Sequence, residues 1–237
     1  MPLLRTYFIA LCFGVSLLGM TNLCHAQDGA QRYQFKAGQV LDIILLSNQP
    51  APDSTLKVYF QQAFPIAQRL GYSPMPGVGI SRPALLGNYQ PESLIFGSWT
   101  SLPARLQALD SLEAGVPRFH EMRREIWSTF NMTYWELTEP LDFTIEKSKY
   151  NVVSAYWSDD AKQLLAFTEQ HQAIQQASGA QQVLQLVDGS SPFMYRYAPD
   201  LLIITAWPDE ASYQRAQAKL LRLNPDVIDQ VHEFAIR

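Results

Sequence analysis

The amino-acid sequence predicts an α+β fold made of two tandem βαββαβ units whose antiparallel sheets face each other. Two observations lead to this prediction. One segment of the chain recurs at a fixed spacing, and apolar runs of strand length alternate with stripes of helical period in the same order in both halves. The chain has 237 residues, of which 47% are hydrophobic and 17% charged, so it is long enough to bury the core that such a fold needs.

The repeat is visible in the letters of the sequence. Tyr89–Trp99 matches Tyr197–Trp207 at a constant offset of 108 residues: both begin Tyr-x-Pro-acidic and continue as an apolar run that ends in Trp. Gly71 and Gly179 keep the same offset, and each follows a helical stripe, where a residue in the left-handed region is expected. This ungapped register indicates a duplication. The alternative is two unrelated strands that begin after similar turns.

The first unit contains the six predicted elements in the order strand, helix, strand, strand, helix, strand. Val40–Leu46 is an apolar run of strand length, and a stripe from Leu56 to Leu70 predicts a helix with one buried face. The turn around Pro91 predicts a hairpin. The remaining elements are the strands Val78–Ile80 and Leu94–Trp99, a helix that begins near Ser101, whose hydroxyl can cap it, and the strand Phe130–Leu137.

The second unit repeats this order with shorter connections. Its predicted elements are Asn151–Trp157, Ala161–Ser178, Val183–Val187, Leu201–Trp207, Asp209–Leu223 and Ile228–Ile236. The first unit carries additional residues around 115–127, where Gly115 and Pro117 should end one helix and start another. We therefore divide the chain into an N-terminal segment 1–26, a lead 27–37, a first unit 38–147 and a second unit 148–237.

The N-terminal segment has the pattern of a secretory signal peptide. Arg5 supplies a positive charge, the apolar stretch Thr6–Met20 follows, and Cys24-His25-Ala26 resembles a cleavage site. The apolar stretch is shorter than the ~20 residues that a spanning helix needs. We expect cleavage near Ala26, a periplasmic or secreted product, and no stable membrane span afterwards. A membrane anchor and a lipoprotein acylated at Cys24 are the alternatives.

Cysteine content and charge exclude several classes of function. Both cysteines, Cys12 and Cys24, lie in the segment expected to be removed, which excludes disulfides, thiol nucleophiles and iron–sulfur clusters in the mature protein. The formal charge of −4 argues against a nucleic-acid partner, because phosphates require a basic surface. No histidine has the spacing of a helix-borne zinc site, so no metal is predicted.

The stretch from Leu94 to Arg105, reading LIFGSWTSLPAR, with Trp127 downstream, resembles the NIPSNAP family. That family is related to the antibiotic-biosynthesis monooxygenases of the dimeric α/β-barrel superfamily, whose units are ferredoxin-like. The resemblance implies that the two units form one barrel within a single chain. In the second unit Tyr213 stands in the place of Arg105, so only the strand and its aromatic residue are retained there.

The candidate functional residues follow from this expected barrel. His120 and His232 are the candidate catalytic residues, with His120 as a proton acceptor or haem ligand. A solvated helix face around His120 and a structural role for His232 are the alternatives. The candidate ligand-binding residues are Trp99, Arg105, Arg118, Tyr134, Tyr197 and Trp207, since binding pockets are mostly apolar with a few polar groups, and an arginine can hold an anion.

Three functions remain open at the level of sequence. The first is a cofactor-free, exported protein that binds a small, largely apolar or aromatic molecule in the barrel interior. The second is an enzyme of monooxygenase or isomerase type that acts on an aromatic or polyketide-like substrate. The third is a protein-interaction module. Haem is the one cofactor kept open, and the outer helices can mediate homo-oligomers.

Overall fold

The computed structural model describes residues 29–50, 53–81, 83–192, 195, 197–223 and 227–237. The expected signal peptide, with Cys12 and Cys24, lies outside these ranges. The strands in chain order are β1 (Ala30–Phe35), β2 (Val40–Asn48), β3 (Ser73–Pro74), β4 (Val78–Gly79), β5 (Ser93–Trp99), β6 (Trp127–Glu136), β7 (Leu141–Glu146), β8 (Tyr150–Trp157), β9 (Gln181–Val187), β10 (Leu201–Trp207) and β11 (Gln230–Ile236). The helices are α1 (Asp53–Arg69), α2 (Leu102–Gly115), α3 (Phe119–Ile126), α4 (Ala161–Ala177) and α5 (Glu210–Leu220).

The strands form antiparallel sheets, which confirms the predicted α+β class. The sheet of the first half has the order β6-β2-β5-β3, with β4 also paired to β5. The sheet of the second half has the order β11-β8-β10-β9. If β3 and β4 are counted as one strand, both sheets place the fourth, first, third and second strands side by side, counting from β2 in the first half and from β8 in the second. Within the described ranges, no helix is long and apolar enough to cross a membrane.

One hydrophobic core lies between the two sheets. In β2, Leu41, Ile43 and Leu45 join Val153 and Phe234 of the second sheet in this core. The alternate residues of β2 point to the helices of the first half instead, and this is why nearly the whole strand is apolar and buried.

A two-stranded ribbon, β1 paired with β7, extends this core. Residues 27–37 are predicted from the sequence as a lead, but Ala30–Phe35 pairs with Leu141–Glu146 along its full length. The Tyr33 ring lies 4.5 Å from the Phe96 ring and 4.8 Å from the Phe143 ring, centroid to centroid. The ribbon therefore contributes aromatic side chains to the space between the sheets, which the described residues fill with one continuous cluster.

The hairpin connection of each half pairs with the last strand of the other half. Between β4 and β5, Ile80 and Leu86 form bridges to Ile236 and Glu233 of β11. Between β9 and β10, the N–H of Ser190 donates to the Tyr134 carbonyl of β6 at 3.0 Å, and Tyr134 donates back at 2.7 Å. We call this pair of contacts the reciprocal clasp. It joins the two sheets at two edges.

Two tyrosines of the repeat meet at the centre of the clasp. Tyr89 and Tyr197, which are 108 positions apart, have ring centroids 5.3 Å from each other. The Tyr89 hydroxyl accepts a hydrogen bond from Asn131 of β6 at 2.8 Å, while the Tyr197 hydroxyl lies 3.4 Å from Nδ1 of His232 on β11. Each tyrosine thus contacts the last strand of its own half in a similar way.

The helix ends also follow the repeat. After α1, Gly71 donates its N–H to the Gln68 carbonyl, and after α4, Gly179 donates to Gln176. Both glycines have positive φ, +90° and +80°, a conformation that side chains disfavour. The helix starts match as well, because Ser101 caps α2 and Asp209 caps α5 through their side-chain oxygens.

The two glycines provide a matched pair of substitutions. Gly71→Ala and Gly179→Ala should each lower the free energy of unfolding by about 1–2 kcal/mol, because a non-glycine residue is strained at positive φ. Gly71→Ala should cost more, since its added Cβ would lie 2.4 Å from Thr100 Oγ1, whereas the nearest atom to that of Gly179 is Pro208 Cγ at 3.3 Å. Urea denaturation measures both. Equal losses would contradict the role assigned to Thr100.

Candidate functional site

Three of the predicted ligand-binding residues, Trp99, Arg105 and Tyr134, meet around one buried carboxylate. Asp42 of β2 accepts hydrogen bonds from Arg105 Nε at 2.7 Å and from Trp99 Nε1 at 2.9 Å. The Arg105 guanidinium also lies 4.8 Å from the centroid of the Tyr134 ring. Asp42 and Arg105 are almost fully buried, so their charges neutralise each other inside the first half. Arg105 is therefore engaged by the protein's own carboxylate.

These residues face the helices and not the space between the sheets. Trp99 packs against Ala67 and Ala108 of α1 and α2, and Trp207 packs against Tyr213 and Ala216 of α5. Trp207 donates its Nε1–H to Thr205 Oγ1 at 2.9 Å. The predicted ligand-binding residues are thus divided among separate clusters and do not line one interior pocket, because alternate residues of a strand point to opposite faces.

Tyr197 and His232 do lie on the inner side, at the reciprocal clasp. His232 is packed between the rings of Tyr89, Trp157 and Tyr197, with centroid distances of 5.1–5.7 Å. Its Nε2 lies 2.9 Å from the side-chain nitrogen of Gln230. Burial lowers the pKa of His232 below its ordinary value. The ring is a packed element of the contact between the two halves.

Arg118 and His120 lie at the surface of the first half. Arg118 forms salt bridges with Glu121 and Glu125, and His120 Nε2 lies 2.8 Å from Glu113 Oε1. Their neighbour Arg123, which the alternative of a solvated helix face around His120 would leave exposed, is buried, with the Phe119 and Phe130 rings each 4.2 Å from its guanidinium carbon. It donates to the hydroxyls of Tyr59 and Tyr195. The i, i+3, i+4, i+7 spacing of Phe119, Met122, Arg123 and Ile126 could have indicated this buried stripe.

A second buried carboxyl, Glu233, was missed by the sequence analysis. It accepts hydrogen bonds from Ser154 and Tyr213 at 2.7 Å and from Tyr156 at 3.2 Å. The Tyr156 hydroxyl lies 3.0 Å from His171 Nε2. Burial raises the pKa of Glu233, and it lowers the pKa of His171 to about 4. Asp42 and Glu233 share one sequence signal: each is an acid inside a strand that is otherwise buried.

The three histidines in the described part of the chain all contact other side chains. His120 is held by Glu113, His232 is enclosed by three aromatic rings, and Nε2 of His171 is engaged by Tyr156. None of the three lines either of two clefts in the described ranges, one beside Tyr134 and one beside Arg69. Among the described residues, no group of three or more metal-ligating side chains comes together. The haem-ligand role considered for His120 stays a prediction.

An open cleft of about 330 Å³ lies at the clasp, between the start of α2, the end of β6 and the connection after β9. Its size falls at the lower end of the range of small-molecule sites. Leu106 and Val187 are 53% and 55% exposed there, although large apolar side chains are usually covered. The full lining is Leu102, Leu106, Tyr134, Trp135, Glu136, Val187, Asp188 and Ser190. Of the predicted ligand-binding residues, only Tyr134 lines it.

Comparisons with known proteins show a likeness of general fold. No protein-family model matches the chain, and the curated proteins contain no match. The chlorite dismutase of Candidatus Nitrospira defluvii in complex with imidazole matches with a TM-score of 0.47 and 7% identity, over 86% of this chain and 92% of that one. A putative chlorite dismutase has a TM-score of 0.42 and 10% identity, over 85% and 95%.

A shorter protein of unknown function from Rhodopseudomonas palustris is also similar. It has 15% identity and a TM-score of 0.33, and the match covers 43% of this chain and 83% of that one. Such low scores carry no argument about activity or about the role of any residue. The function must therefore be argued from the geometry of this chain.

The Asp42–Arg105 pair predicts a coupled loss of stability. Arg105→Met should lower the free energy of unfolding by about 3–5 kcal/mol, because it leaves the Asp42 charge buried without a cation. The double variant Asp42→Asn/Arg105→Met should lose much less than the sum of the two single changes, since both charges are then absent. Urea denaturation measures the cycle, with Arg118→Met as the exposed control. Additive losses would show that the two side chains are not coupled.

The Glu233 cluster predicts that the free energy of unfolding decreases as the pH rises above 4.5. Because burial raises the folded-state pKa of Glu233 above 4.5, its carboxyl holds a proton that the unfolded chain has released. The free energy of unfolding that this bound proton contributes below pH 4.5 is lost as the pH rises towards the folded-state pKa, by up to about 1.4 kcal/mol per pH unit. Glu233→Gln should flatten this slope, and the exposed Glu139→Gln should not.

Thermal unfolding should be followed from pH 4.5 upward in the unaltered protein and in Glu233→Gln, and the two compared at each pH, so that the contribution of His171 is common to both. His171 acts with the opposite sign at lower pH, because its depressed folded-state pKa removes stability as the pH falls from 6.5 towards 4. A stability difference between the two proteins that stays constant as the pH rises from 4.5 would contradict the assignment.

Proposed function

We propose that this protein binds a small, largely apolar molecule in the cleft at the reciprocal clasp. The observation that carries the proposal is the exposure of Leu106 and Val187 in a concave site that also contains Tyr134 and Trp135. The free energy decreases when a ligand covers the apolar side chains of a cleft, because their surface is removed from water. The site replaces the barrel interior expected from the sequence, because side chains of both sheets occupy that space.

A binding role fits the surroundings of the candidate catalytic residues better than an enzymatic one. His120 and His232 lie outside the cleft, and both are held by neighbouring side chains. Arg105 reaches the ring of Tyr134 but is committed to Asp42. A general base must come within hydrogen-bond reach of its substrate, and neither histidine meets that condition in this cleft.

The wider proposal concerns origin and export. We infer that residues 38–147 and 148–237 are two ferredoxin-like units that arose by duplication and form one barrel, as in the NIPSNAP resemblance. The matching strand orders, helix ends and Tyr89–Tyr197 contact support this inference. Export rests on the sequence pattern of residues 1–26 alone, with 27–37 as the lead to the first unit.

The cleft can be tested with a neutral apolar fluorophore, N-phenyl-1-naphthylamine. Leu106→Ser should weaken its binding about tenfold, because part of the leucine contact area is lost. Leu165→Ser is the matched control, since Leu165 is 61% exposed on α4 and lies outside the cleft. A fluorescence titration measures both. Failure of the dye to bind, or equal effects of the two substitutions, would overturn the proposal.

A further inference from the structure

We propose that the ligand of this cleft is a small organic cation, with an apolar body and a hydrogen-bond acceptor next to its amine. The proposal rests on the binding function argued above and adds the chemical class of the ligand. Three features carry it: the sign of the charges around the cleft, a buried and unpaired indole N–H on one of the residues that line it, and the fixed backbone of the segment that supplies one of the charges.

The charged residues that line the cleft are both acidic. Glu136 ends β6 and Asp188 follows β9, so their carboxylates lie on the two sides of the seam between the halves. Neither forms a salt bridge within the described part of the chain. The neighbouring cation, Arg105, is neutralised by Asp42. The cleft therefore favours a positive group over a negative one.

Trp135 supplies a hydrogen-bond donor that has no partner. Its side chain is 5% exposed and lines the cleft, and its Nε1 is buried without a hydrogen bond among the described residues. By contrast, Trp99 donates to Asp42 and Trp207 donates to Thr205. Because an unmet buried donor is unfavourable, a ligand acceptor such as a carbonyl oxygen would be stabilised at this atom.

The segment that carries Asp188 is held in place before any ligand binds. Asp188 has a left-handed backbone with φ of 54°, and its N–H donates to the Asp200 carbonyl at 2.9 Å. Gly189 fits there because a Cβ would lie 2.9 Å from Trp135 Cζ2 and from the Pro199 carbonyl. Because the backbone is already held, only the side chain of Asp188 has to be ordered on binding.

Four compounds separate the contributions of charge and acceptor: phenylalaninamide, 2-phenylethylamine, 3-phenylpropionamide and 3-phenylpropionate. They are titrated at mildly acidic pH into the full ¹⁵N-labelled chain, and the Trp135 indole N–H signal is followed by NMR. Trp135→Phe assigns that signal, or backbone connectivities assign it if this variant does not fold. The indole signals of Trp99 and Trp207 are internal controls, since both donors already have partners.

Phenylalaninamide, which carries both the amine and the carbonyl, should bind most tightly and shift the Trp135 signal most. Removing the amine should weaken binding, and the anion 3-phenylpropionate should bind weakest. Glu136→Gln and Asp188→Asn should each weaken the binding of phenylalaninamide by about two- to fivefold, as expected for exposed charge pairs. Both substitutions should leave the affinity for 3-phenylpropionamide unchanged. Glu139 is an exposed acid outside the cleft, so Glu139→Gln should change the affinity for neither compound.

The outcomes distinguish the two proposals. If the neutral amide or the anion binds as tightly as phenylalaninamide and shifts the Trp135 signal, the cation assignment is overturned and the apolar binding function stands. If phenylalaninamide binds without moving the Trp135 signal, the acceptor assignment is overturned. If no compound shifts this signal and N-phenyl-1-naphthylamine also fails to bind, both proposals are overturned.

Discussion

The reciprocal clasp is the interaction on which the rest of this structure depends. A strand at the edge of a sheet leaves backbone N–H and C=O groups that require partners. Here β11 obtains partners from the connection after β4, and β6 obtains them from the connection after β9. Since each half completes the sheet edge of the other, the inner faces are held together and share one hydrophobic core.

The two halves have the same framework but different buried chemistry. Val40 pairs with Trp99 and Tyr150 with Trp207, so Asp42 of the first half corresponds to Val152 of the second. The buried acid of the second half is instead Glu233, on the last strand. In both halves the fourth residue after the helix cap, Arg105 or Tyr213, bonds to the acid. Arg105 allows a charged pair with Asp42, whereas Glu233 is held by hydroxyl groups without a cation among the described residues, and burial raises its pKa.

The reciprocal clasp also forms the cleft. Its walls belong to different halves: Leu106 and Glu136 come from the first, and Val187 and Asp188 come from the second. These residues are brought together because Ser190 pairs with Tyr134. A ligand at this place would contact both halves at their seam, and its binding would depend on the clasp being formed.

The sequence by itself determined the class of the fold and much of its local structure. The repeat located β10 to the residue, and the glycines at 71 and 179 located the ends of two helices, because periodicity and helix caps depend on residues a few positions apart. The tertiary structure alone decided which aromatic residues face the helices, and it paired β1 with β7. It also placed Arg105 on Asp42, 63 positions away, and formed the cleft. These features depend on contacts between distant segments, and no local pattern in the sequence specifies which segments will meet.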